Sequence, residues 1–281
     1  MAYIFVVGNP RTGTSLLQSV LCQAQNVIPQ IKGAHFLPAL VKTYRTGKES
    51  FDVRELQNYF SDQDEVRDLC RRYVLKFLEH VRSRYGSAEH VVIKSVWMTS
   101  LLPDLYELVP EAWFVISMRD PRDTIASMIE VGKKTKQNTG NNPFPRDIAR
   151  LARSFMSAYG PPMNRALADG NFKARIAIIK YEDLITQPER EIERLAHMTT
   201  LTFSEFDPSK CWGQVGRDYD ADRRNNHAWV TALHGKGFSN SHIGRYHEDL
   251  TEEEVAVIEN VCANAFNLFG YPTKTSKEVS A

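Results

Sequence analysis

The segment Gly8-Asn9-Pro10-Arg11-Thr12-Gly13-Thr14-Ser15 directly follows the apolar run Tyr3-Ile4-Phe5-Val6-Val7. Strand, glycine-bearing loop and helix are the elements this order predicts. The Gly8-to-Gly13 spacing is that of a P-loop, which wraps backbone N–H groups around a phosphate at a helix N-terminus. The lysine that should follow the second glycine is missing, and Thr14 stands in its place. The loop therefore predicts an anion site without the usual nucleoside-triphosphate equipment. On its own, the glycine pair would equally serve a tight strand-to-helix turn.

Apolar strands and amphipathic helices alternate along the rest of the chain. Strands are predicted at Tyr3–Val7, His90–Lys94, Ala112–Met118 and Ala174–Lys180. Helices are predicted over Thr14–Gln25, from near Phe36, over 62–85, Thr99–Leu108, Pro121–Glu130, Arg146–Leu167, Pro188–His197 and Thr251–Leu268. Asp62 or Asp64 is a candidate cap for the third of these, and Asp120-Pro121 is a start signal for the helix after the Ala112–Met118 strand. Thr251 to Glu254 reads as a capping box. Lys133–Pro145 reads as a polar loop, 204–245 as irregular, and the last nine residues as a frayed tail. The Leu69, Tyr73, Phe77, Val81 and Tyr85 positions, spaced by four, read as a packing stripe. This alternation predicts an α/β fold: a parallel sheet with helices on both faces. Ligands of such sheets sit at the carboxyl ends of the strands. That places the 8–15 loop, Lys94, Met118–Arg122 and Lys180-Tyr181 on one rim.

The net charge of +1 provides no global field for nucleic acid or an anionic membrane. Any anion site must be made locally. The four cysteines, at 22, 70, 211 and 262, show no C-x-x-C pair and no zinc spacing. They read as free thiols in a reducing compartment, so a cytoplasmic, most simply bacterial, setting is expected. A catalytic domain cut from a membrane-anchored eukaryotic protein is the alternative. No apolar run is long enough to span a bilayer.

A second anion element follows the strongest strand. Arg119 stands at its end and Ser127 lies eight residues on, two turns into the next helix. Arginine offers a planar fork to a phosphate, and the serine adds a hydroxyl. Each residue also has an ordinary reading: Arg119 paired with Asp123 or Glu130 on the surface, Ser127 as a small packing residue.

These paired motifs resemble those of sulfotransferases that use 3′-phosphoadenosine 5′-phosphosulfate (PAPS). Gly8–Ser15 resembles their 5′-phosphosulfate loop, and Arg119-Asp-Pro-Arg-Asp-Thr-Ile-Ala-Ser127 their 3′-phosphate motif. Tyr181-Glu182-Asp183-Leu184 with Pro188, Gly244-Arg245-Tyr246 and Phe269-Gly270-Tyr271-Pro272 resemble later family segments. The resemblance implies three αβα layers around a central parallel sheet, the P-loop NTPase-like sulfotransferase fold, as a single domain over 1–281. It implies in-line transfer of a sulfuryl group from PAPS to a small-molecule, lipid or carbohydrate hydroxyl or amine, with adenosine 3′,5′-bisphosphate (PAP) released and no metal needed. Thr12, Gly13, Thr14 and Ser15 would hold the 5′-phosphate, with Arg11 as its cation. Arg119 and Ser127 would hold the 3′-phosphate, and Lys236-Gly237 would close over it. Tyr181 would pack on adenine, and Lys94 would sit near the sulfuryl group.

The base is where the chain departs from the pattern. Cytosolic members carry a histidine two residues beyond the position of Lys94, and here that residue is Val96. Other members use a glutamate after the first helix, and the comparable segment 30–38 has none. It has His35, whose imidazole titrates near neutrality and is the candidate base. His227, His234 and His242 are alternatives. An acceptor pocket is expected from Phe36, Tyr44, Trp97, Phe144, Phe155, Tyr159, Trp212 and Trp229. Two competing functions stay open: a P-loop kinase using ATP, and a non-catalytic nucleotide-binding relative that has lost its base.

Overall fold

The computed structural model describes residues 1–53, 56–86, 88–212, 229 and 238–273. Four strands form one sheet in the order β2-β1-β3-β4. They are β1 (Tyr3–Gly8), β2 (Val91–Lys94), β3 (Trp113–Met118) and β4 (Ile176–Lys180), and every pairing is parallel. Both faces are buried, which is why the strands read as unbroken apolar runs. The period of two then sorts each strand between two cores. Tyr3, Phe5, Val7, Phe114 and Ile116 face one side; Ile4, Val6, Val115, Ala177 and Ile179 face the other.

The helices are α1 (Thr14–Leu21), α2 (Phe36–Glu49), α3 (Gln63–Ser83), α4 (Leu102–Leu108), α5 (Pro121–Thr139) and α6 (Ile148–Ala168). After these come α7 (Gly170–Lys173), α8 (Tyr181–Thr186), α9 (Pro188–Thr199), α10 (Tyr246–Asp249), α11 (Glu252–Val261) and α12 (Ala263–Phe269). α1 and α9 cover one face through Leu17, Val20, Leu21, Ile192 and Leu195. α2, α3, α4 and α6 cover the other through residues such as Leu37, Leu78, Leu105 and Phe155. The three αβα layers are as expected.

Several predicted caps are present. Asp62 accepts from the Glu65 amide at 2.9 Å, Asp120 from the Arg122 amide at 2.8 Å, and Thr251 and Glu254 form the reciprocal box. Three expectations need correction. α1 stops at Leu21 rather than Gln25, with Cys22 as its C-cap, and the last predicted helix is two, α11 and α12, with Cys262 as the C-cap of the first and the N-cap of the second. The supposed loop from Lys133 is helical as far as Thr139, ending at Gly140 with φ +78°. That stretch is polar because the end of α5 projects into solvent, where Lys134 pairs with Glu130 one turn back at 2.7 Å. The inner face of α3 is Val66, Val74, Leu78 and Val81, while Tyr73 is 60 % exposed.

All four strands end on one rim. The register sets Gly8 beside Ser117, Val6 beside Lys94 and Met118 beside Lys180.

Candidate functional site

The loop after β1 is held by buried polar groups from α6 and β3. Gly8 has φ +148°, and a Cβ there would stand 2.5 Å from the Ser117 carbonyl oxygen, so only glycine fits. The Asn9 amide donates to Tyr159 Oη at 2.9 Å, and that hydroxyl donates to the Ser117 carbonyl at 2.9 Å. Asn9 Nδ2 donates to the Phe155 carbonyl at 3.0 Å. Thr12 Oγ1 donates to the Asn9 carbonyl at 2.8 Å, and Ser117 Oγ to the Thr12 carbonyl at 2.6 Å. Thr12 therefore braces the loop with its side chain and with its backbone, whose amide also donates to the Asn9 carbonyl at 3.3 Å. Arg11 takes φ +74°. That left-handed conformation costs a non-glycine residue about 1–2 kcal/mol. Gly13 is the N-cap of α1, with φ +90° and no side-chain cap, so the first amides of that helix point out of the loop without a capping acceptor.

Arg119, at the end of β3, joins this loop to the second motif. Its Nη1 donates to the Arg11 carbonyl at 3.2 Å, and its Nη2 donates to the His242 carbonyl. Its guanidinium lies 4.9 Å from the centroid of the Tyr181 ring. The same ring lies against Gly13, where a Cβ would come within 2.6 Å of Tyr181 Cδ2. Tyr181 thus packs the two motifs against each other, a contact the sequence did not announce. Arg119 does pair with Asp123, at 3.5 Å, but the pair is buried rather than on the surface.

Ser127 lies two turns into α5 and accepts from Arg11 Nε at 3.1 Å. Arg11 Nη1 donates to the Trp229 carbonyl at 2.9 Å. The cation expected at the 5′ end therefore reaches across to the serine expected at the 3′ end. Burial, and next the charge of Arg119, lower the Arg11 pKa to about 10. Arg119 Nε is buried without an acceptor among the described residues. Two crowded guanidiniums and an orphaned donor make a site complementary to an anion such as a phosphate.

Lys94, at the end of β2, donates through Nζ to Ser15 Oγ at 2.7 Å. Gln30 Nε2 donates to the Ser15 carbonyl at 2.8 Å. The Ala34 amide donates to the Lys94 carbonyl at 3.0 Å, which brings the segment before α2 beside β2. His35 is the next residue, at the N-cap of α2, and it is exposed with no side-chain cap bond. Thus Ser15, Lys94 and the His35 backbone share one end of the rim.

His242 lies at the other end. Its carbonyl is taken by Arg119, and its Nδ1 is 3.5 Å from Arg245 Nη1. Burial, then Arg245 and Arg119, lower its pKa. Lys236, Gly237, His227 and His234 lie outside the described residues.

The expected acceptor wall divides. Tyr44, Phe155, Tyr159 and Trp212 are buried, so they belong to the packing of the helices and the loop brace. Phe36 is 59 % and Trp97 53 % exposed. Phe144 and Trp229 lie edge to face at 5.3 Å. The sequence offered Tyr159 for the acceptor wall and Asp123 for a surface pair; the structure makes Tyr159 a brace of the loop and Asp123 a buried acceptor for the amides of Gly244 at 2.8 Å and Tyr246 at 2.9 Å.

Among the described residues no group of three His, Cys, Asp or Glu side chains gathers as a metal site, and no helix is long and apolar enough to cross a membrane. Comparison with known proteins gives a consistent picture. The profile of the sulfotransferase family matches residues 3–205. A Caenorhabditis briggsae protein with the provisional name protein-tyrosine sulfotransferase is 24 % identical over 204 residues, 72 % of this chain. The match spans 66 % of that relative's own length, just under two thirds. The sulfotransferase domain of the curacin biosynthetic pathway superposes with a TM-score of 0.58 at 15 % identity, covering 94 % of this chain and 97 % of its own. The sulfotransferase domain of the Synechococcus PCC 7002 olefin synthase gives 0.56 at 14 % identity, covering 97 % and 96 %. At such identities the likeness shows the fold.

Proposed function

This chain belongs to the sulfotransferase family, and from that premise we propose that it transfers the sulfuryl group of PAPS to an acceptor hydroxyl, releasing PAP. The observation that carries the reading is the Arg119 guanidinium, held between the Tyr181 ring and the Arg11 carbonyl with Nε buried and, among the described residues, without an acceptor. It joins two anion-binding elements in one place, as a nucleotide with phosphates on both sides of its ribose requires. PAPS, when bound, supplies an activated sulfuryl group whose transfer needs positioning and charge stabilisation more than covalent help.

The chain's own residues divide that work. The amides of Gly13, Thr14 and Ser15 bind at the start of α1, where the helix dipole favours an anion. Arg119, Ser127 and Arg11 bind the 3′-phosphate end. Lys94 places a cation at Ser15, where negative charge develops during transfer. His35 takes the acceptor proton, being exposed on the segment tied to Lys94. Phe36, the next residue in the chain, and Trp97, three residues beyond Lys94, offer exposed aromatic surface. Exposed aromatic side chains suit a phenolic acceptor such as the protein tyrosine in the name of the Caenorhabditis briggsae relative. The unpaired cysteines fit the reducing, cytoplasmic setting expected of the chain.

Thermal shift tests the donor. PAP at about 100 times its dissociation constant should stabilise the protein by about 2.7 kcal/mol, with little change from ATP and magnesium. The reverse result returns the kinase reading. Labelled PAPS offered with phenols, peptidyl tyrosine, lipid alcohols and sugars then identifies the acceptor. Binding of PAP with transfer to none of them favours the non-catalytic relative.

A further inference from the structure

The ladder between β3 and β4 has its last rung at Met118 and Lys180. The next rung of such a ladder would join Asp120 to Glu182, two residues on in each strand. By then β4 has turned into α8 and cannot supply a strand backbone. The Glu182 side chain takes that place, with Oε1 accepting from the Asp120 amide at 2.9 Å. Its Oε2 accepts from Tyr271 Oη at 3.0 Å. Burial first, and the Glu182 carboxylate second, keep the Tyr271 phenol protonated, so it is the donor.

Tyr271 is itself fixed in place. Gly270 ends α12 at φ +65°, and the Tyr271 amide returns to the Phe266 carbonyl at 3.0 Å. Arg122 Nη2 donates to the Pro272 carbonyl at 2.9 Å, and Lys180 Nζ lies 4.9 Å from the Tyr271 centroid. The residues bridged in this way are the chain neighbours of the anion clamp. Asp120 follows Arg119, and Glu182 follows Tyr181. A shift between the two strand ends would alter the separation of the Arg119 guanidinium from the Tyr181 ring.

We infer that Glu182 and Tyr271 are positioning residues for the nucleotide site: Tyr271 orients the Glu182 carboxylate, which carries the β3–β4 pairing one rung past the sheet and holds Arg119 against Tyr181. The inference rests on the reading that Arg119 receives the 3′-phosphate. Neither residue needs to touch the nucleotide. The C-terminal segment thereby becomes part of the binding apparatus without lining it.

Calorimetric titration of Glu182→Ala, Glu182→Gln and Tyr271→Phe tests this with two ligands, PAP and adenosine 5′-phosphosulfate, which lacks the 3′-phosphate. Glu182→Ala should weaken PAP by about tenfold or more, the scale of one charge-assisted hydrogen bond, and change the other nucleotide by less than about twofold. Glu182→Gln keeps an oxygen for the Asp120 amide and should restore PAP to within about threefold of wild type. Tyr271→Phe removes one hydroxyl from an otherwise intact fold and should show the same selective loss, of about threefold to tenfold. It carries the test even if the alanine variant does not fold. Equal losses for both nucleotides, or none, in a wild type that prefers PAP overturn this assignment alone. A wild type that binds both nucleotides equally overturns the reading of Arg119, and the assignment with it.

Discussion

Replacing Gly13 by alanine probes the contact that joins the two motifs. The residue sits at φ +90°, ψ +13°, where a side chain costs about 1–2 kcal/mol. The new methyl would also stand 2.6 Å from Tyr181 Cδ2. Carbon atoms pack best about 3.5–4.0 Å apart, so the ring must retreat by about 1 Å. It has little room, being 8 % exposed with Arg119 on its face. Overpacking of this kind costs about 1–3 kcal/mol. The two parts sum to about 2–5 kcal/mol, a large share of the roughly 5–15 kcal/mol that holds a protein together. Urea unfolding of Gly13→Ala, Tyr181→Ala and the double variant separates them. With the ring gone, alanine at 13 should cost only the backbone part. The cycle should return a coupling of about 1–3 kcal/mol. Additive losses would show that Tyr181 does not pack on the loop, and the joining of the two motifs through that ring would fail with it.

Other consequences are as direct. Arg119→Ala should weaken PAP by about 10- to 100-fold while sparing adenosine 5′-phosphosulfate, as read by calorimetry; equal losses would refute its place at the 3′ end. His35→Ala should lower kcat by about 10²- to 10⁴-fold with cofactor affinity unchanged, and an unchanged kcat would move the base elsewhere. His242 has a folded-state pKa lowered by burial and by Arg245 and Arg119. The unfolded chain therefore binds its proton more readily, and stability should fall as pH drops below about 6.5, the ordinary histidine value. His242→Asn should flatten that decline in melting temperature, and an unaltered slope would assign it to other groups.

The layered fold was legible because both faces of the sheet are covered. Ile4 and Phe5 are buried on opposite sides, so the strands read as plain apolar runs and the helices as amphipathic ones. Glycine at 8 and 13 was legible because backbone geometry there admits nothing else. The far end of α5 was hidden because a helix projecting into water carries no apolar stripe. The contact of Arg11 with Ser127 spans 116 positions and leaves no local pattern. Nor does sequence distinguish an aromatic that braces from one that binds: Tyr159 and Trp97 look alike as letters, yet one is 3 % and the other 53 % exposed.

The position of β1 between β2 and β3 bears on how the protein is made. Tyr3–Gly8 leaves the ribosome before the other three strands, yet its neighbours begin only at Val91 and Trp113. At about 5–20 residues per second, this sticky hexapeptide waits on the order of ten seconds for its first partner. During translation it gains from a chaperone, and the loop it carries, braced by Ser117, takes shape only after β3 has been synthesised.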